Sequence, residues 1–407
     1  MRERKSNLVI LQVSPIQYPI SDQLRQGGTE RVVCLLQKEL TRLGVGSIVA
    51  CCGGSDVIGN KYVAFERAMS EACGNPVVVT YDTHAQEYEL YFERVANFAL
   101  GNNVSILHDH TGWFVLSHAY ARRRGSFPFP ILTTVAGCYP AEDNEKADIY
   151  RRRKHDGGLY FSTVSDSHKK YLSRYLEIDG FVHNGVDIAQ FPFRTMGDKR
   201  GYLFSLGRIA WWKGQRIAIN VAKQSGLKLA IGGSVSDIAY FSQIRASIDL
   251  AFAADCKEQS MEEVEEKIGQ FIKGTAKVIY IGELNDLQKS VWYQFASCFL
   301  MPILWEEPFG LVMIEAMACG TPVIAFNRGA VPEIVKNGKT GFIVGTEEDM
   351  VEAVMKIGSL DPYTCRKWVE DNFSSARMTQ NYLELYRRLI EAHCSRSAGR
   401  GERALIR

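Results

Sequence analysis

Short apolar runs alternate with amphipathic stretches along nearly the whole chain, and this alternation limits the fold more than any other feature. A brief continuous apolar run suits a strand buried on both faces of a parallel sheet. A helical pattern between two such runs suits the crossover that a parallel pair requires. Strands are predicted at residues 8–14, 47–51, 77–80, 104–108, 131–134, 158–164 and 180–183. A second series is predicted at 202–206, 228–231, 278–282, 298–302, 322–325 and 341–344. Residues 29–43 read as a helix with Val32, Leu36, Leu40 and Leu43 on one face and Gly44 placed to end it. Residues 191–200 lack periodicity and carry a proline, a glycine and charges, so they read as a hinge between two Rossmann-like halves. The expected organisation is therefore residues 1–190, the hinge 191–200, residues 201–373, an amphipathic helix at 374–393 and a flexible basic tail at 394–407.

A chain of 407 residues is long enough for two large cores, and its formal net charge of +2 lacks the basic excess of a dedicated nucleic-acid binder. The longest apolar region, residues 310–326, contains Glu315, two glycines and Pro322, so it is no membrane span. The apolar run near the N-terminus is broken by Gln12 and reads as a first strand rather than a secretory signal. Ten cysteines are scattered with no C-x-x-C pair, which fits small buried residues in a reducing cytoplasm.

The common nucleotide motifs are absent. No G-x-G-x-x-G follows a predicted strand, and Asn337-Gly338-Lys339-Thr340 has Glu333 where a P-loop needs its first glycine. There is neither H-E-x-x-H nor an Asp-x-Asp metal clamp. An anionic ligand must be held some other way. The stretch from Trp305 to Val344 offers one, because a loop with Glu307 leads through Phe309 and Gly310 into an apolar helical run. The free N–H groups of that helix start, from Phe309 to Val312, and the helix dipole form an anion site. Glu307 is placed to accept from sugar hydroxyls, and Glu315 from ribose hydroxyls. By spacing alone, two glutamates eight apart are equally compatible with a solvated or capping pair.

The string E-P-F-G-L-V-x-x-E-A-M-A-C-G-T-P-V-I-A closely resembles the Glu-x7-Glu motif of retaining glycosyltransferases of family 4. Other segments agree in order. Gly207-Arg208-Ile209 with Lys213-Gly214 resembles the family's G-R-L-x-x-x-K-G, in which a guanidinium and an ammonium clamp a pyrophosphate. Gly27-Gly28-Thr29-Glu30-Arg31 resembles its G-G-x-E-R loop, where backbone N–H groups approach a phosphate and Thr29 is placed to N-cap the next helix. His108-Asp109-His110 resembles its H-x-H, with His110 facing the donor sugar. Val164-Ser165 and residues 183–187 match further landmarks. Two departures are Ala136, where many members have a polar residue, and the bulky pair Trp211 and Trp212.

The resemblance implies an α/β protein of GT-B architecture: two Rossmann-like domains facing a cleft, with the C-terminal helix crossing back to the N-terminal domain. It implies His110, Glu307, Lys213 and Arg208 as catalytic. It implies Gly27, Gly28, Arg208, Lys213, Gly282, Leu284, Glu307, Phe309, Gly310, Leu311, Val312 and Glu315 as donor-binding. The reaction implied is metal-independent transfer of a hexose, with retention, from a nucleotide diphosphate sugar to a glycan, lipid-linked or small-molecule hydroxyl, with UDP-glucose the first candidate. No cofactor, metal or nucleic acid is expected, and the location is cytoplasmic. The alternatives are a UDP-sugar 2-epimerase on the same fold and a silent nucleotide-sugar-binding scaffold. The clusters Arg122–Arg124 and Arg151–Lys154 fall in the expected acceptor half; anionic lipid at the inner membrane face, an acceptor pyrophosphate and plain solvation all suit them.

Overall fold

The computed structural model describes residues 8–21, 24, 27–73, 83–137, 144–154, 157–252 and 260–404. Side chains at 72–73, 144–147 and 397–404 are outside that description, as is the strand expected at 77–80. The chain forms two compact units, residues 1–184 with 375–407, and residues 185–374.

The first unit is built on a parallel sheet of β1 (Val9–Val13), β2 (Gly46–Cys52), β3 (Asn60–Phe65), β4 (Ile106–Asp109), β5 (Ile131–Val135), β6 (Leu159–Thr163) and β7 (Gly180–Phe181). Their order is β3-β2-β1-β4-β5-β6-β7. Val9 pairs with Gly46 on one side of β1, and Ile10 with Ile106 on the other. β1, β4, β5 and β6 are buried on both faces, apart from a half-buried Val9, because helices cover each side.

The second unit contains β8 (Tyr202–Leu206), β9 (Lys228–Gly232), β10 (Leu250–Ala251), β11 (Val278–Tyr280), β12 (Cys298–Met301), β13 (Val323–Phe326) and β14 (Gly341–Val344). They form a parallel sheet in the order β10-β11-β9-β8-β12-β13-β14. In each sheet the strand order reverses direction beside the first strand, between β1 and β4 and between β8 and β12. Open α/β sheets bind ligands beside the carboxyl ends of the strands at such a switch point.

Three expectations change here. The segment 191–200 packs onto the second unit: the Lys199 ammonium donates to the Gln294 carbonyl and Thr321 Oγ1, and the Arg200 guanidinium lies 4.0 Å from the Phe295 ring centre. The chain passes between units at 184/185 and 374/375 instead. The last helix is longer than the sequence pattern suggested, running Ser375–Ala404, so the backbone of the expected flexible tail is helical that far. Its apolar face, Met378, Tyr382, Leu385, Tyr386 and Leu389, closes a core with Val32, Leu36 and Leu40 of the helix Gly28–Arg42.

Candidate functional site

In the second unit, β8 and β12 deliver two loops to the switch point. The loop after β8 makes a short 3-10 turn at Trp211–Lys213 and turns sharply at Gly214. The loop after β12 carries Trp305 and Glu307 into Gly310, whose left-handed backbone starts the helix Leu311–Ala318. The two loops are tied by a hydrogen bond from Leu304 N–H to the Trp212 carbonyl, 2.8 Å. A third segment holds the Glu307 backbone, with Ala330 N–H donating to its carbonyl at 2.9 Å.

These ties bring Lys213 onto Glu307. Lys213 Nζ donates to Glu307 Oε2 at 2.9 Å, and Trp305 Nε1 donates to the same oxygen at 2.9 Å. The ammonium also lies 5.0 Å from the centre of the Trp305 ring. Glu307 Oε1 accepts no hydrogen bond among the described residues. One oxygen fixes the carboxylate; the other is left for a ligand. Lys213 keeps two of its three N–H donors for an anion. Arg208 is exposed on the same loop and forms no ion pair among the described residues. Leu311 and Val312 are half-buried at the helix start, where their N–H groups have no intrahelical acceptor.

Gly282 and Leu284, named from the sequence among the donor-binding residues, follow β11 near the carboxyl end of β9. The Gly233 N–H donates to the Gly282 carbonyl at 2.7 Å, and Leu284 packs against Gly232. The Phe309 ring is buried and packs edge-on against Phe373 at 6.1 Å.

Glu315 is not presented to a ribose. It is 1 % exposed, its Oε1 accepts from Lys289 Nζ at 2.6 Å, and its Oε2 from the Tyr293 hydroxyl at 3.2 Å. Lys289 is bridged in turn to Asp286 at 2.7 Å. The second turn of the Leu311–Ala318 helix faces the helix Asp286–Phe295, and that face is where Glu315 lies. Spacing from Glu307 locates Glu315 on the helix but does not reveal a lysine 26 positions upstream.

In the first unit, the switch point is framed by the loops after β1 and β4. Gly27, in a left-handed conformation, is the N-cap of the helix Gly28–Arg42, which replaces the capping role expected for Thr29. Gly28 is exposed at the first helical position. Glu30 is buried beneath Gly27, and burial raises its carboxyl to about 7 despite backbone hydrogen bonds from Glu30 and Tyr18.

The H-x-H segment divides its labour. His108 is fully buried between the Tyr386 hydroxyl, 2.7 Å from Nδ1, and Thr134 Oγ1, 2.7 Å from Nε2, so it ties β4 to the last helix. Asp109 accepts from Thr111 N–H and Oγ1 and from Phe114 N–H, and orders the turn that follows. Burial raises Asp109 to about 6. The His110 ring lies against His108, with ring centres 3.7 Å apart and planes tilted by 37°. Its buried Nε2 has no hydrogen-bond partner among the described residues, and burial lowers its pKa to about 3. A neutral imidazole with one nitrogen unsatisfied retains hydrogen-bonding capacity that the described residues do not use.

The sequence reading missed Trp305 as a partner of Glu307, although it lies two positions away, and gave Glu30 no role. Of the basic clusters, Arg122 and Arg123 both bind Glu93, and Lys154 binds Asp179 at 2.9 Å. Trp211 is 57 % exposed and meets Trp212 edge-on. Among the described residues, no group of three or more His, Cys, Asp or Glu side chains is arranged to hold a metal ion, and no helix is long and apolar enough to cross a membrane.

Comparison with known proteins adds independent findings. Residues 26–190 match the family described as Glycosyltransferase Family 4, and residues 188–373 match Glycosyl transferases group 1. An alpha-maltose-1-phosphate synthase from Mycolicibacterium smegmatis is 31% identical over 146 residues, 32% of this chain and 38% of that protein. An uncharacterized 41.2 kDa protein in the cps region of Klebsiella pneumoniae is 30% identical over 134 residues, 31% of this chain and 36% of that protein. The aligned stretches thus span little more than a third of these relatives' length. Among solved structures, sucrose-phosphate synthase from Thermosynechococcus elongatus superposes with a TM-score of 0.69 at 20% identity, covering 95% of this chain and 100% of that one. HepE from Anabaena in complex with UDP-glucose gives 0.65 at 14% identity, covering 93% and 99%.

Proposed function

The chain belongs to glycosyltransferase family 4 and has the GT-B fold, and on that premise we propose that it transfers a hexose, with retention, from a nucleotide diphosphate sugar to an acceptor hydroxyl. UDP-glucose is the first donor to test, since a solved structure of the same fold holds it. The acceptor is a glycan, a lipid-linked glycan or a small molecule, and the reaction takes place in the cytoplasm, with any contact to the inner membrane face peripheral.

The observation that carries this reading is the Lys213–Glu307–Trp305 cluster at the carboxyl ends of β8 and β12. In the reaction, the bond from the anomeric carbon to the diphosphate oxygen breaks and a bond to the acceptor oxygen forms. The acceptor proton passes to the departing phosphate oxygen on the same face. Negative charge grows on the diphosphate, and Arg208, Lys213 and the N–H groups of Leu311 and Val312 are disposed to stabilise it without a divalent cation. Glu307 Oε1 holds a sugar hydroxyl, and its anionic charge favours the oxocarbenium-like centre. His110, neutral at working pH, takes the hydrogen bond of a donor-sugar hydroxyl. Glu315 acts from behind, fixing the helix whose start meets the diphosphate.

A panel of UDP-, GDP- and ADP-sugars, with and without EDTA, tests this. The expected result is slow nucleotide release in water, faster release with acceptor, an axial product bond from an axial donor, and no effect of chelator. Conversion of the sugar without nucleotide release favours the epimerase; binding without either favours the scaffold. Activity lost to EDTA and restored by Mn²⁺ refutes the metal-free step alone.

A further inference from the structure

We propose that the first unit carries a second anion site, for a phosphate-bearing ligand, at the end of its sheet opposite the loops of Gly27 and His110. An open cavity of about 820 Å³ is lined there by Arg151, Lys154, Arg174, Tyr175, Glu177 and Arg396, among others. Its walls come from three places in sequence: the end of the helix Asn144–Lys154, the turn leading to β7, and the last helix. Residues 154–157 precede β6 and residues 173–178 precede β7, so the cavity lies at the amino ends of those strands. His110 follows the carboxyl end of β4 in the same parallel sheet. The two sites are therefore at opposite poles.

Four cationic side chains and one carboxylate line this cavity. Two cations are already matched. Arg151 pairs with Asp148, and Lys154 is held by Asp179 at 2.9 Å and by Glu177 at 3.5 Å. Arg174 and Arg396 are different. Both are exposed, and neither forms an ion pair among the described residues. Each guanidinium instead lies over a ring, Arg174 5.9 Å from the centre of Tyr171 and Arg396 5.6 Å from that of Tyr160. Among the described residues neither guanidinium donates a hydrogen bond, so the N–H groups of both remain for a ligand. A guanidinium can make forked hydrogen bonds to phosphate oxygens. Like charges brought to one cavity repel, and a bound anion relieves that repulsion. Because Arg396 stands on the last helix, the ligand would also fasten that helix to the turn before β7, beside the existing bond from Arg388 to the Asp179 carbonyl at 2.8 Å.

The chemistry suits a free phosphorylated solute or a phospholipid headgroup, and the test separates them. Inorganic pyrophosphate is titrated calorimetrically at low ionic strength into the full chain, its R174Q/R396Q variant, and Lys213→Ala. The expected result is a binding component that weakens at least tenfold in R174Q/R396Q and survives in Lys213→Ala. The lysine variant R174K/R396K should recover only part of it, since lysine keeps the charge but not the fork. Both arginines are exposed, so circular dichroism should show unchanged folding. Sedimentation with phosphatidylcholine vesicles, with and without phosphatidylglycerol, then assigns the source. Anionic-vesicle binding lost together with the pyrophosphate component identifies a headgroup; its absence from every protein identifies a free solute. Identical pyrophosphate isotherms for wild type and R174Q/R396Q overturn the site.

Discussion

At the scale of single residues, the two glutamates of the motif separate by environment. Glu307 has one oxygen fixed by Lys213 and Trp305 and one open, while both oxygens of Glu315 are engaged inside the protein. Glu307→Gln is therefore expected to leave stability within about 1 kcal/mol while cutting turnover a hundredfold or more, and Lys213→Ala to do the same through the leaving group, at about 3–4 kcal/mol of barrier. Glu315→Gln removes the charge facing a buried lysine. Lys289 retains Asp286, so the cost falls near the lower end for a broken buried pair, about 3 kcal/mol of stability. Urea unfolding beside initial rates separates the two patterns, and a Glu315→Gln protein as stable as wild type would contradict the buried pairing. Glu30 supplies a pH test. Its carboxyl is raised from 4.5 to about 7, so the folded state binds a proton that the unfolded state releases. That contribution is fully present below about pH 4.5 and is lost as pH rises through 7. Glu30→Gln is neutral throughout, so its stability relative to wild type should increase between pH 5 and pH 8, by up to about 3 kcal/mol. Unfolding curves for the two proteins at both pH values check this, and a constant difference would show that Glu30 does not titrate there.

At the scale of elements, the loops are placed by backbone contacts that leave little room for change. Gly214 has φ of +74°, and a Cβ there would lie 2.0 Å from the Pro302 carbonyl oxygen. Gly214→Ala must push apart the β8 and β12 loops that join Lys213 to Glu307. The expected outcome is a loss of about 3 kcal/mol, from strain and clash together, with turnover falling further than stability alone explains. Thermal melts and rates of the folded fraction measure both. The same elements show what the sequence makes legible. β8 and β14 are found at the residues their apolar runs mark: β8 is a central strand buried along most of its length, and β14, although at the sheet edge with Phe342 and Ile343 half-buried, keeps an apolar run. β3 was missed: Asn60 and Lys61 open it, and an edge strand half in solvent needs no apolar run. β10, two exposed residues at the other sheet's edge, left no pattern at all. The segment 191–200 looked like a linker because its contacts are scattered, a lysine to Thr321 and an arginine onto Phe295, with no period to display them. For the site, local motifs located Lys213, Glu307 and His110. Glu315 was misread in environment since Lys289 and Tyr293 reach it from a separate helix.

At the scale of the whole molecule, the chain order and the folding units disagree, and this has a measurable consequence. Residues 185–374 form one unbroken stretch containing a complete seven-stranded sheet, both switch-point loops, and Arg208, Lys213, Glu307 and Gly310. The other unit is assembled from both ends of the chain. Its core includes Tyr382, Leu385, Tyr386 and Leu389, and His108 depends on the Tyr386 hydroxyl. Deleting the last helix would uncover those apolar partners on the helix Gly28–Arg42 and leave a nitrogen of His108 unsatisfied in the interior. Each buried large side chain lost in this way costs about 1.5–3 kcal/mol, so four of them, about 6–12 kcal/mol, are comparable to the whole stability of a typical domain, about 5–15 kcal/mol. A fragment of residues 185–374 is thus expected to fold cooperatively alone and to bind UDP within about tenfold of the full chain, without turnover. Residues 1–184 alone should lack a sharp unfolding transition and regain one when a peptide of residues 375–404 is added. Calorimetric titration of the first fragment and thermal melts of the second measure these outcomes separately. If residues 1–184 melt sharply without the peptide, the last helix is not needed to complete that core. If the 185–374 fragment folds but does not bind UDP, the nucleotide requires residues beyond Arg208, Lys213 and the Gly310 helix start.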